Sequence, residues 1–293
     1  MAIRNLELRA RAIVHGFWSG LHRSPYHGFS VEFTEYRQYT PGDDPRFLDW
    51  KLFARSDRHY IKKFEDETNL RCHLVVDQSK SMQFADTGYS KCDYACTLAA
   101  SLAWFLHQQG DAAGLMTFDA EIRDYLPPKA RRTHLRQLML ALERPPAGTA
   151  TDMQAPLKRI AELARRRGLI LFITDLLASP ENLDRNLGML SAGGHEVMVF
   201  QVLDPAETGF TFKDASLFQD LENDQEIYID PEVARESYLA RFNQHCSDVR
   251  SICERHGIQF IPMTTDRPLE LALFDFLRSR MQRTKTVQRR VLR

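Results

Sequence analysis

The chain has 293 residues, 43% of them hydrophobic, which is enough for one or two domains with a sizeable core. Its 39 lysines and arginines balance 39 aspartates and glutamates, so no long-range field draws it to nucleic acid or an anionic membrane. Any partner must be recognised by local chemistry. The longest clean apolar run, Leu169 to Ile173, is far shorter than the ~20 residues of a membrane span. The first residues carry arginines where a secretory leader has its apolar stretch, so a cytoplasmic protein is expected.

In chain order, residues 1 to 28 read as a basic, mildly amphipathic helix that breaks at Pro25 and Gly28. The stretch "FSVEFTEYRQY" alternates apolar and polar side chains and predicts a strand, followed by the turn "TPGDDPR". "HYIKKFEDE" predicts a second extended segment, leading into a strand at Arg71 to Val76. Beyond it, helix and strand signals alternate. A helix over 91–109 closes on Gly110, "AAGLMTF" is a strand, and "DAEIRDYL" is an edge hairpin expected to stop at Pro127 and Pro128. Helices follow over 131–143 and 154–167, then the strand "GLILFIT", a helix after Pro180 and the strand "HEVMVFQVL". The acidic stretch to about 230 is expected to be irregular, before a long helix over 231–256, the strand "GIQFIPM" and a last helix over 268–281.

Short apolar β runs alternating with helices predict a doubly wound α/β domain around a mostly parallel sheet. The expected organisation is an N-terminal helix and strand-rich extension (1–70) packing on the core, the main domain (71–281) and a basic tail (282–293). The five cysteines include Cys92 and Cys96 at helical spacing and Cys246 and Cys253 seven apart, none of which is a zinc signature, so reduced thiols are expected.

In an open parallel sheet, ligands sit at the carboxyl ends of the strands. Three such places carry side-chain oxygens: Asp77, Ser79 and Ser81 in "LVVDQSKSMQF", Thr149, Thr151 and Asp152 in "AGTATD", and Thr174 and Asp175 closing "LILFITD". Residues two apart in a turn that leaves a strand can point the same way, so the D-x-S-x-S spacing can gather three oxygens on one point while Gln78 and Lys80 face away. Two carboxylates with hydroxyls suit magnesium, which prefers octahedral oxygen ligation and keeps several waters. The bland account is that the serines cap the following helix and Asp175 a short turn.

These residues resemble the metal-ion-dependent adhesion site of von Willebrand factor A domains. The resemblance implies Asp77, Ser79, Ser81, Thr149 and Asp175 as metal ligands, with Thr149 ahead of Thr151 because it directly follows Gly148. It implies Mg2+, with Mn2+ or Ca2+ as alternatives, and an open position that accepts a carboxylate from a partner protein. The string Arg37, Tyr39, Gly42, Asp43, Asp44, Arg46, Asp49, Trp50, Ala54 and Arg55 resembles the signature of the domain of unknown function 58 family. Membership implies a non-enzymatic interaction module working with a MoxR-type AAA+ ATPase in the assembly or maturation of protein complexes. Many relatives carry membrane helices ahead of this region, and this chain shows none. The acids and arginines of the string either pin a loop on the core or form a partner-binding face.

The competing reading is a metal-dependent hydrolase or phosphotransferase at the same cation. A dehalogenase-type site needs a second aspartate two residues after the first, where this chain has Ser79, and no lysine is evident near the site. Phosphate-loop, dinucleotide, esterase-elbow and zincin motifs are absent. The tail carries seven cations from Arg278 to Arg293 and no acid; it is expected to be a solvated helix end, with nucleic-acid binding disfavoured.

Overall fold

The computed structural model describes residues 5–23, 36–38, 60–62, 70–86, 88–146, 154–164, 166–212, 216–219 and 226–276. Helix α1 (Leu6–Arg23) places Leu6, Ala10, Ile13, Val14 and Phe17 three to four residues apart, on one buried face. Residues 1–18 belong to one compact unit with 70–293, and residues 19–69 form a second unit. Within the second, β1 (Tyr36–Gln38) pairs antiparallel with β2 (Tyr60–Lys62), as the alternating pattern at "EYRQY" predicts. Most of the arginine and aspartate string lies outside the described residues, as does the basic tail.

The main unit is built on β3 (Arg71–Asp77), α2 (Lys91–Gln108), β4 (Ala112–Phe118), β5 (Ile122–Lys129), α3 (Arg132–Leu142), α4 (Gln154–Leu163) and β6 (Leu169–Thr174). It continues through α5 (Pro180–Ala192), β7 (Glu196–Leu203), α6 (Pro205–Gly209), β8 (Ser216–Gln219), β9 (Glu226–Ile229), α7 (Pro231–Arg255), β10 (Gln259–Thr264) and α8 (269–276). Six strands form one sheet in the order β10-β7-β6-β3-β4-β5, parallel except for β5 at the edge. β6 is buried along its whole length and β3 and β7 along all but their first residues, because helices cover both faces.

On one face lies α2, buried on nearly every side. Its outer surface meets α1, where Phe17 sits edge-on to Phe105 with centroids 5.9 Å apart, and α8, where Phe276 does the same at 6.1 Å. That second layer explains why α2 reads as apolar all round. On the other face α4, α5 and α7 deliver Leu157, Ile160, Leu183, Leu187, Val249 and Ile252 onto Val75, Ile170, Phe172 and Val199.

Two expectations are corrected. The prolines do not stop the edge hairpin: β5 runs through Pro127 and Pro128, with the register slipping between Ala113 and Leu115 on β4. An outermost strand tolerates missing N–H donors. The stretch before 230 is not irregular among its described residues, since it contains α6 and an antiparallel β8–β9 pair. The opposite edge strand, β10, also contains a proline, Pro262. No helix among the described residues is long and apolar enough to cross a membrane.

Candidate metal centre

The chain leaves β3 toward β4 on one side and later returns to place β6 on the other, so the strand order reverses between β3 and β6. That junction is where an open α/β sheet leaves a crevice at its carboxyl end. β3 and β6 are paired with Val76 opposite Ile173, which brings Asp77 level with Thr174 one step further on. The Thr174 hydroxyl donates to Asp77 Oδ2 at 2.7 Å and accepts from the Leu176 amide at 3.2 Å.

The loop after β3 turns as the spacing requires. The Ser79 amide donates to Asp77 Oδ1 at 2.9 Å, and the Ser79 and Ser81 hydroxyls lie 3.1 Å apart. Gln78 points the other way, its Nε2 reaching Cys96 Sγ on α2 at 3.5 Å. The capping account fails for the serines: α2 is capped by Ser90, whose side chain accepts from the Asp93 amide at 3.0 Å. For Asp175 it holds in part, since Oδ1 accepts from the Leu177 amide at 3.2 Å. Thr149, with Thr151 and Asp152, lies outside the described residues, so the structure brings together Asp77, Ser79, Ser81 and Asp175 of the expected set.

The expectation that no lysine stands near the site is corrected by Lys91. Its side chain is fully buried, and Nζ donates to Asp175 Oδ2 at 3.0 Å and to Glu207 Oε1 at 2.6 Å. Burial alone would pull the ammonium's pKa down, but the charges of Asp175 and Glu207 outweigh it and push it up. Glu207 belongs to a capping box that closes α6: the Asp204 side chain accepts from Ala206 at 2.8 Å, and Glu207 Oε2 accepts from the Asp204 amide at 2.8 Å. Of Lys91 and Glu207, only Glu207 had a sequence signal. "DPAE" is an Asp-x-x-Glu box, whereas Lys91, in the first turn of its helix, reads as a solvated charge until the layer outside α2 is seen.

The electrostatics then centre on Asp77. It is fully buried, and among the described residues no cationic side chain pairs with it. Burial, and then repulsion from Asp175, raise its pKa to about 7, against the bonds from Ser79 and Thr174 that favour the anion. Lys91 thus serves Asp175 and Glu207, and the third buried carboxylate, Asp77, is left without a cationic partner among the described residues. The donors at the crevice are carboxylate and hydroxyl oxygens, a set that fits a hard divalent cation. Among the described residues no group of three or more His, Cys, Asp or Glu side chains is placed to hold a metal, so any site here depends on the serine hydroxyls. All five cysteines are free thiols.

A family profile matches residues 35–248, well over half of the chain. The chain belongs to DUF58, a family of proteins of unknown function. An uncharacterised protein of Mycobacterium tuberculosis is 28% identical to this DUF58 protein over 284 residues, covering 95% of this chain and 89% of that one. Among solved structures, the conserved hypothetical protein BatB of Bacteroides thetaiotaomicron superimposes with a TM-score of 0.51 at 14% identity, over 73% of this chain and 99% of that chain. The vWF domain of the type V pili tip protein Mfa5 of Porphyromonas gingivalis gives a TM-score of 0.36 at 14% identity, over 72% of this chain and 94% of that domain. With its six-stranded, mostly parallel sheet flanked by helices, this DUF58 protein has an α/β fold that it shares with BatB.

Proposed function

We propose that this DUF58 protein is a non-enzymatic interaction module that holds Mg2+ at the carboxyl end of β3 and β6. The observation that carries the reading is Asp77, a buried carboxylate without a cationic partner among the described residues, with the Ser79 and Ser81 hydroxyls beside it. Asp77, Ser79 and Ser81 would hold the ion directly, with Thr149 proposed as a further ligand from its sequence position. Asp175, gripped by Lys91 and by the Leu177 amide, would balance its charge. The ion, when bound, supplies an open position for a carboxylate.

The chain's own residues orient and insulate this place. Thr174 and the Ser79 amide each hold one oxygen of Asp77, so its carboxylate plane is fixed before any ion arrives. Lys91 removes the repulsion that Asp175 and Glu207 would exert on each other. The residue two after Asp77 is a serine, so the second aspartate of a dehalogenase-type pair is missing, and Asp175 is engaged by Lys91. Lys91 is saturated by two acids and is not free to act on a substrate. Holding a partner's carboxylate is the chemistry such a site supports.

A MoxR-type AAA+ ATPase is the proposed partner, in the assembly or maturation of other protein complexes. The test is binding of this protein to such an ATPase with and without magnesium, for wild type and Asp77→Ala. Magnesium-dependent binding lost in the variant supports the proposal, and equal binding under all four conditions overturns its metal-dependent part.

A further inference from the structure

Beside the crevice a groove of about 460 Å³ runs between the loop after β6 and the outer face of α7. Leu177, Ala178 and Pro180 form one wall, and Phe210, Tyr238 and Phe242 the other. The aromatic wall is a continuous stack, with Phe210 and Tyr238 centroids 4.7 Å apart and the Tyr238 and Phe242 rings 5.7 Å apart and nearly parallel. Leu177 is 41% exposed. Phe210 is buried, and the half-buried Tyr238 and Phe242 are the rings the groove presents, a surface with the character of a recognition site.

Two further observations mark the groove. Leu176 (φ 57°) and Phe210 (φ 45°) are non-glycine residues in the left-handed region; Phe210 lines the groove, and Leu176 is buried directly before the lining residue Leu177. Bulky side chains rarely adopt that conformation, and it concentrates where a chain is held for binding. Leu176 is pinned by its neighbours, with its amide on Thr174 Oγ1 and its carbonyl accepting from His245 Nε2 at 2.9 Å. The second observation is charge. The ionisable side chains lining the groove are Arg241, His245 and the Tyr238 phenol, with no aspartate or glutamate among them. Arg241 is exposed and pairs with no acid among the described residues.

A basic, aromatic groove is complementary to a segment that carries an apolar side chain flanked by acids. We propose that this groove binds a short stretch of a protein partner in which an aromatic or large aliphatic residue lies next to Asp or Glu, the apolar side chain on Tyr238 and Phe242 and the acid on Arg241. The inference rests on the reading of the protein as an interaction module, and adds to it a contact that needs no metal. Leu177 lies two residues after Asp175, and Phe210 directly follows the helix that carries Glu207, so a partner seated in the groove would also reach the crevice.

The test uses the full chain and three fluorescein-labelled pentapeptides: Glu-Glu-Phe-Leu-Glu, Lys-Lys-Phe-Leu-Lys and Glu-Glu-Gly-Ser-Glu. Fluorescence anisotropy should show the first binding at least about tenfold more tightly than the other two, with about tenfold loss in Arg241→Glu and in Tyr238→Ala. Arg241 is exposed, so its variant reads binding without disturbing the fold. Affinity for the first peptide should be the same in magnesium and in chelator. Equal affinity for all three peptides, no binding of the first below about 1 mM, or indifference to Arg241→Glu would overturn the proposal. Because the peptide assay runs in chelator, its failure is distinct from failure of the magnesium-dependent ATPase assay.

Discussion

Replacing Lys91 by methionine tests the electrostatic account of the crevice most directly. Methionine fills similar volume and keeps the buried stem, so the change removes the ammonium with little repacking. It strips two bonds, of 3.0 Å to Asp175 and 2.6 Å to Glu207, from acids whose side chains are only 1% and 15% exposed. Breaking a buried pair by removing one partner costs about 3–5 kcal/mol, since the remaining charge has neither water nor a counter-ion. Two acids are stranded here, so the upper half of that range is expected. Urea unfolding of wild type and variant in chelator, compared at equal slope, measures the loss. Glu207→Gln keeps a hydrogen bond to Lys91 and should lose less, about 1–2 kcal/mol. If Lys91→Met unfolds within about 1 kcal/mol of wild type, the ion pair is not organising the crevice and the reasoning fails.

Three other outcomes are expected. Magnesium at a hundred times its dissociation constant should stabilise the wild type by about 2.7 kcal/mol and leave Asp77→Ala unmoved, as read by unfolding with and without the ion; equal stabilisation of both would place the ion elsewhere. Burial, followed by the nearby His195 and Arg71, lowers the pKa of His73 to about 4 from 6.5, so the unfolded chain binds the extra proton between those values. Stability from this source is complete above pH 6.5 and falls by about 3 kcal/mol as the pH drops to 4, and His73→Gln should flatten that part of the profile. Gly114→Ala would set a Cβ 2.7 Å from the Leu126 carbonyl oxygen and the Pro128 nitrogen, so it should cost about 1–3 kcal/mol or open the β4–β5 pair, measurable as faster amide exchange on β5.

The sheet was legible because strands covered on both faces become unbroken apolar runs, as "LILFIT" does. The switch between β3 and β6 could also be anticipated, since Asp77 and Thr174 both end such runs. What escaped were features that depend on pairing across distance. The prolines of β5 read as a stop because nothing local shows that the strand has no outer neighbour. The β8–β9 pair is four residues a side in an acidic stretch, too short for alternation to stand out. Lys91 was passed over because a single lysine in a helix's first turn reads as a solvated charge. Only the layer of α1 and α8 outside α2 shows that this helix has no solvated side there. Thr149 lies outside the described residues, and the fourth ligand rests on its sequence position alone.

The prolines at the two rims of the sheet have a consequence for how this molecule can meet others. Pro127 and Pro128 interrupt the amide donors of β5, and Pro262 interrupts those of β10. An incoming extended peptide, or the rim of a second copy, would find gaps in the ladder it needs to complete. Lateral growth into fibres and recruitment of a partner by adding a strand are both disfavoured at these rims. The proposed contacts, at Asp77 and in the aromatic groove, lie instead at the carboxyl end of the sheet, away from both rims.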